Sequence, residues 1–245
     1  MDYKTFLDNQ NSQIRQVLLE SLPSVDPEIP SLWDEIRKAL QSGSPYCLAL
    51  YIAVLYKSFT GLEGKEYPQP LMTAGCGVEM IYAGHGILID MPALGTSASN
   101  QDSESLHKGA ILLLAADSIH TYVFEWILEN LPGLEGYQLV TQLAEASGWK
   151  GILGAEDEND LLNRFVTLAQ FAGRITAQKA GVSEEIRLNI DTLSVSIGEI
   201  LSSLNTSNKS SHLLESQIKT AIEKAYFLPH RGIELFQNYL DYIIR

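Results

Sequence analysis

The sequence predicts an all-α protein: a single domain over residues 1–245, built as a bundle of about ten helices. Three observations carry this prediction. Apolar residues recur at three- and four-residue spacings along most of the chain, as they do on one face of a helix. No stretch alternates with a period of two, and neither Asn-Gly nor Asp-Gly occurs as a hairpin turn. Short breaks rich in proline, glycine or serine separate the helical stretches, and none is long enough to hold separate cores apart.

The elements follow in order. Phe6, Ile14, Val17, Leu18 and Leu22 mark a first helix, and Pro23, Pro27 and Pro30 end it. Leu32, Ile36 and Leu40 mark a second, shorter one. Residues 45–59 are almost wholly apolar, which predicts a helix buried on all sides rather than a surface helix. A polar turn with Gly and Pro covers residues 61–70. Residues 71–94 are apolar on most faces, and residues 95–104 are small and polar. A long apolar helix over residues 106–131 stops at Pro132 and Gly133. Helices are then expected over 136–149, 160–180 and 183–204, a polar linker over 206–211, and two closing helices over 212–226 and 230–244. No repeat of fixed period is present.

Composition narrows the function classes. The 245 residues carry 17 Lys and Arg against 30 Asp and Glu, a formal charge of −13. That balance argues against binding nucleic acid or an anionic membrane, both of which need basic patches. Hydrophobic residues make up 45% of the chain and charged residues 19%, which suits a globular core rather than a disordered chain. Two cysteines, Cys47 and Cys76, form neither a disulfide framework nor a zinc motif and point to a reducing compartment. The first ten residues lack the apolar core of a signal peptide, and the longest unbroken apolar run, residues 47–56, is too short to span a bilayer. A cytoplasmic protein with no transmembrane segment is the expectation.

Few residues suggest chemistry. Asp90 lies in the apolar stretch 86–94, and a carboxylate there is costly unless paired, hydrated or metal-bound. It reads either as a metal or acid–base group, or as a carboxylate at a cleft held by backbone amides. Asp117, among Leu114, Ala115, Ala116 and Ser118, carries the same two readings. Glu79 precedes Asp90 by close to three helical turns, which puts both near one face. The histidines His85, His107, His120, His212 and His230 form no metal-binding pair of the His-Glu-x-x-His kind, so no metal site is expected. No P-loop, dinucleotide fingerprint or Gly-x-Ser-x-Gly elbow occurs. Cys76 has no base beside it in sequence and reads as a packing residue. Lys108 is the only Lys or Arg between Lys65 and Lys150, too little for a diphosphate site built on cations.

One segment carries a resemblance. Gly77-Val78-Glu79-Met80-Ile81-Tyr82, then Asp90-Met91-Pro92-Ala93-Leu94, then His107-Lys108 and Ala115-Ala116-Asp117-Ser118-Ile119, resembles the trans-isoprenyl diphosphate synthases, the polyprenyl synthetase family. Weaker likenesses lie at residues 146–154 and in the last helix, with Tyr239, Leu240, Tyr242 and Arg245. The resemblance implies an all-α isoprenoid-synthase-like fold, helix-mediated dimers, and a product tunnel between buried helices. It also implies magnesium held by two aspartate-rich motifs, which this chain lacks. Aligned without gaps from Glu79, the first motif's aspartates fall on Ile89, Asp90 and Gly95, leaving one of three. A lone carboxylate holds magnesium poorly. The second motif falls near Leu201 and Ser202. The paired arginines after the first motif fall near Asn100 and Gln101, and the upstream basic segment near Ser42-Gly43-Ser44-Pro45. The family's Lys-Thr pair falls near Arg164-Phe165.

Prenyl transfer develops charge on a diphosphate leaving group, and the family stabilises it with metal ions and cations placed in advance. The sequence therefore reads as a homologue that kept the fold and lost this chemistry, with no magnesium cofactor. Such a chain would act as a partner or regulatory subunit, in a homodimer or in a heterodimer with a full-motif synthase. Two alternatives are an isoprenoid- or apolar-ligand-binding protein, and a prenyltransferase with a rearranged site. The remnant catalytic candidates are Asp90, Asp117 and His85, and the weak substrate-binding candidates are His107 and Lys108.

Overall fold

The computed structural model describes residues 2–22, 30–42, 45–61, 67–89, 103–148, 160–205 and 211–244. Among them the chain forms ten α-helices and one short 3-10 turn, with no strand. They are α1 (Tyr3–Ser21), α2 (Pro30–Ser42), α3 (Cys47–Thr60), α4 (Gln69–Ile89), α5 (Ser103–Asn130), α6 (Leu134–Ser147), α7 (Asp160–Ala180), α8 (Glu184–Asn205), α9 (Ser211–Lys224) and α10 (His230–Ile244). The helical periodicity and the count of about ten are borne out.

The bundle is built around α3. Eleven of its fourteen residues are buried, including Lys57. It touches α1, α4, α7 and α10, so the run of apolar residues is explained by neighbours on every side. Tyr51 stacks on Tyr239 of α10, and its hydroxyl shares a 3.0 Å hydrogen bond with Ser194 of α8. The Tyr239 hydroxyl donates to the Cys47 carbonyl, which ties α10 to the start of α3.

The tightest antiparallel pair is α7 with α8, joined by a turn through Gly181 at φ 66°. At Gly198 a β-carbon would lie 2.5 Å from the Val166 Cα, so only glycine allows this approach. Helix α5 packs on α4, α2 and α6. Residues 104–130 of α5 also contain an 18-residue stretch with a mean hydropathy of 1.4, long and apolar enough to cross a bilayer by length and composition. No unbroken apolar run marks this stretch in the sequence, because Asp117, His120 and Glu125 punctuate it.

Candidate functional site

The start of α3 poses a physical problem that α4 solves. The first amides of any helix lack intrahelical partners. Here they are buried, and Tyr46, which precedes the helix, offers no side-chain cap. Glu79, one of the few buried polar residues, reaches across from α4. Its Oε1 accepts from the amides of Leu48 at 2.8 Å and Ala49 at 2.9 Å. Tyr46 is anchored by its own amide, which donates to Asn11 Oδ1, and by its hydroxyl, which donates to the Leu40 carbonyl. The positive end of the α3 dipole faces the carboxylate and favours its charge. Burial outweighs this: it pushes the Glu79 carboxyl up to about 7, while the two amides pull it down.

Glu79 lines a cavity of about 680 Å³ at one end of the bundle. Residues from α2, α3, α4, α5, α8 and α10 contribute to its wall. Ala83, Ile87, Leu112, Leu201, Leu204 and Ile243 form the apolar portion. Among the described residues Lys38 and Lys108 are its cations, and Lys38 is already bonded to Glu35 at 2.6 Å. Tyr82 accepts a 2.7 Å hydrogen bond from Asn205, and both line the cavity. Gly86 leaves open space where a β-carbon would stand.

The sequence candidates divide around this cavity. Lys108 lines it, while His107, exposed one residue earlier on α5, does not. Asp117 is exposed on α5 and stands away from the cavity lining. His85 is buried on the α7 side of α4, where its Nε2 accepts from Arg164 Nη1 at 2.9 Å. Burial, then Arg164, then His120 push the His85 imidazole down to about 4, so it is neutral at pH 7. Asp90 lies outside the described residues. Gly84 is a true close contact: a β-carbon there would meet Ile119 and His120 at 2.7 and 2.8 Å. From sequence, Glu79 reads as sharing a helix face with Asp90, and neither Tyr82 nor Asn205 stands out. The signal for Glu79 is its place in an otherwise apolar stretch, but its partners lie thirty residues upstream.

No family model matches this sequence, and no curated protein does. Solved structures do match along the whole chain. An FPP/GFPP synthase from Zymomonas mobilis, in its apo form, is 17% identical, covers 99% of each chain and has a TM-score of 0.73. The geranyl diphosphate synthase small subunit from Antirrhinum majus is 15% identical, covers 98% of this chain and 99% of its own, and has a TM-score of 0.73. A mint heterotetrameric geranyl pyrophosphate synthase, a deletion mutant with ligands, is 13% identical over 98% and 99%, with a TM-score of 0.72. The chain therefore has the all-α fold of the isoprenyl diphosphate synthases, as the sequence resemblance implied.

With that fold established, three segments where the resemblance placed diphosphate and metal chemistry meet at one cavity. Ser42 and Pro45 come from the upstream segment, Gly86 and Ile87 from just before the first motif, and Leu201 from the second. The described side chains do not fit a magnesium cluster. Among the described residues no three His, Cys, Asp or Glu groups come together. Glu79 spends Oε1 on the α3 amides, and Glu35 is held by Lys38.

Proposed function

We propose that this chain is a non-catalytic isoprenyl diphosphate synthase homologue acting as a partner or regulatory subunit. The observation that carries this reading is the make-up of the cavity. Where the resemblance places the upstream cations and the second carboxylate motif, the described lining puts Ser42, Pro45 and Leu201. A diphosphate leaving group needs preorganised positive charge, and the two lysines among the described lining residues, one of them paired, supply little. The fold is shared with a synthase small subunit and with a heterotetrameric synthase, which is consistent with a partnering role.

A second feature supports a subunit. Leu106, Ala110, Leu113 and Leu114 are exposed along α5, and Leu134 and Tyr137 are exposed at the start of α6. Apolar stripes of this kind are usually covered by another chain. Native mass spectrometry of the tagged protein from its own host cells tests the reading. A mixed complex with a full-motif isoprenyl diphosphate synthase is expected; turnover of prenyl diphosphates by the purified chain alone would refute it.

The cavity favours a second reading, an apolar-ligand-binding protein. Its volume falls within the usual range for small-molecule sites, roughly 300–1,000 Å³, and Ala83, Ile87, Leu112, Leu201, Leu204 and Ile243 give it an apolar side. A co-purifying lipid mass on the native protein would support it, and a clean protein mass would count against it.

A further inference from the structure

Glu79 is only 3% exposed, yet its bonding is lopsided. Both amides of α3 use Oε1, and among the described residues nothing donates to Oε2. Glu79 lines the cavity, and Oε2 is the oxygen not spent on the α3 amides. A buried carboxylate oxygen without a donor is unfavourable, and becomes favourable once a donor reaches it. A diphosphate is the wrong guest for this point, because it brings negative charge and only acceptors towards a carboxylate. The lysines stand at α2 and α5, and Lys38 is engaged by Glu35.

We propose that the cavity binds an apolar molecule whose head group donates a hydrogen bond to Oε2 of Glu79: an alcohol or a protonated amine, not a diphosphate. This rests on the second reading above, that the cavity holds an apolar ligand. The aliphatic wall of Ala83, Ile87, Leu112, Leu201 and Leu204 takes the body of the molecule. The open space at Gly86 leaves room for it beside α4. An alcohol would bring one donor to the carboxylate. An ammonium would add charge and form the stronger bond.

The test is a calorimetric titration of the full chain with farnesol, farnesylamine and farnesyl diphosphate, which share one apolar body. The expected order is farnesylamine tightest, then farnesol, then farnesyl diphosphate weaker than both. Glu79→Gln keeps a carbonyl for the α3 amides but loses the charge. It should weaken farnesylamine by about tenfold or more and farnesol by less. Gly86→Leu fills the cavity from a helix interior where leucine is well tolerated, and should abolish binding of both; it serves if Glu79→Gln does not fold. If farnesyl diphosphate binds tightest, the head-group assignment falls while the ligand-binding reading stands. If none of the three binds, both fall and Glu79 is a helix cap only.

Discussion

Replacing Glu79 with glutamine isolates the cost of burying one carboxylate. Burial raises its carboxyl from 4.5 to about 7, so the folded chain holds that proton more tightly than the unfolded chain does. The stabilisation this brings is complete below pH 4.5 and is lost as pH rises through 7. At about 1.4 kcal/mol per unit, linkage removes about 2.5 kcal/mol of stability between pH 5 and pH 8. Glutamine cannot titrate, and its amide oxygen still accepts from Leu48 and Ala49. The stability of Glu79→Gln relative to the wild type should therefore improve by about 2.5 kcal/mol from pH 5 to pH 8. For a chain of this size that is a relative gain of about 5–10 °C in melting temperature. Thermal melts followed by far-ultraviolet circular dichroism, run on both proteins at both pH values, read the difference directly. An offset between the two proteins that is the same at pH 5 and pH 8 would refute the reasoning, because it would mean Glu79 titrates alike in the folded and unfolded chains.

The remaining predictions concern packing, acid stability and association. His85 is pushed below its usual value, so its contribution is present above pH 6.5 and lost as pH falls towards 4; His85→Gln should flatten the acid limb of a pH–stability curve. Gly198→Leu should destabilise the fold by on the order of 2–3 kcal/mol in urea unfolding, because its β-carbon would meet the Val166 backbone. Asp191→Asn, which breaks the exposed pair with Arg174, should change stability by less than about 1 kcal/mol by the same measurement. Leu113→Glu with Leu114→Glu should shift the native mass towards a single chain while leaving the melting temperature of that chain within a few degrees, roughly.

Much of the fold was legible because burial leaves a one-dimensional trace. The unbroken apolar run of α3 announced a helix enclosed on all sides, and Pro132 with Gly133 announced the break between α5 and α6. Leu201 and Ile89, at positions where the resemblance places motif carboxylates, are read from the sequence alone. The site was less legible. Glu79 matters because the start of α3 lies against α4, a pairing between residues 31 apart that no local pattern encodes. The Arg164 contact with His85 spans 79 residues, and nothing near either one in sequence points to the other. Asp90 and Asp117 drew attention as charges in apolar stretches. Periodicity cannot tell a helix's solvent face from its cavity face, and Asp117 lies on the solvent side.

The proposal that this chain carries the synthase fold without the machinery for holding diphosphates is tested most directly by calorimetry with isopentenyl diphosphate, with and without magnesium. The expected result is no saturable heat that magnesium increases. Magnesium-dependent tightening of diphosphate binding would contradict the proposal and restore the chain to the catalytic members of its fold.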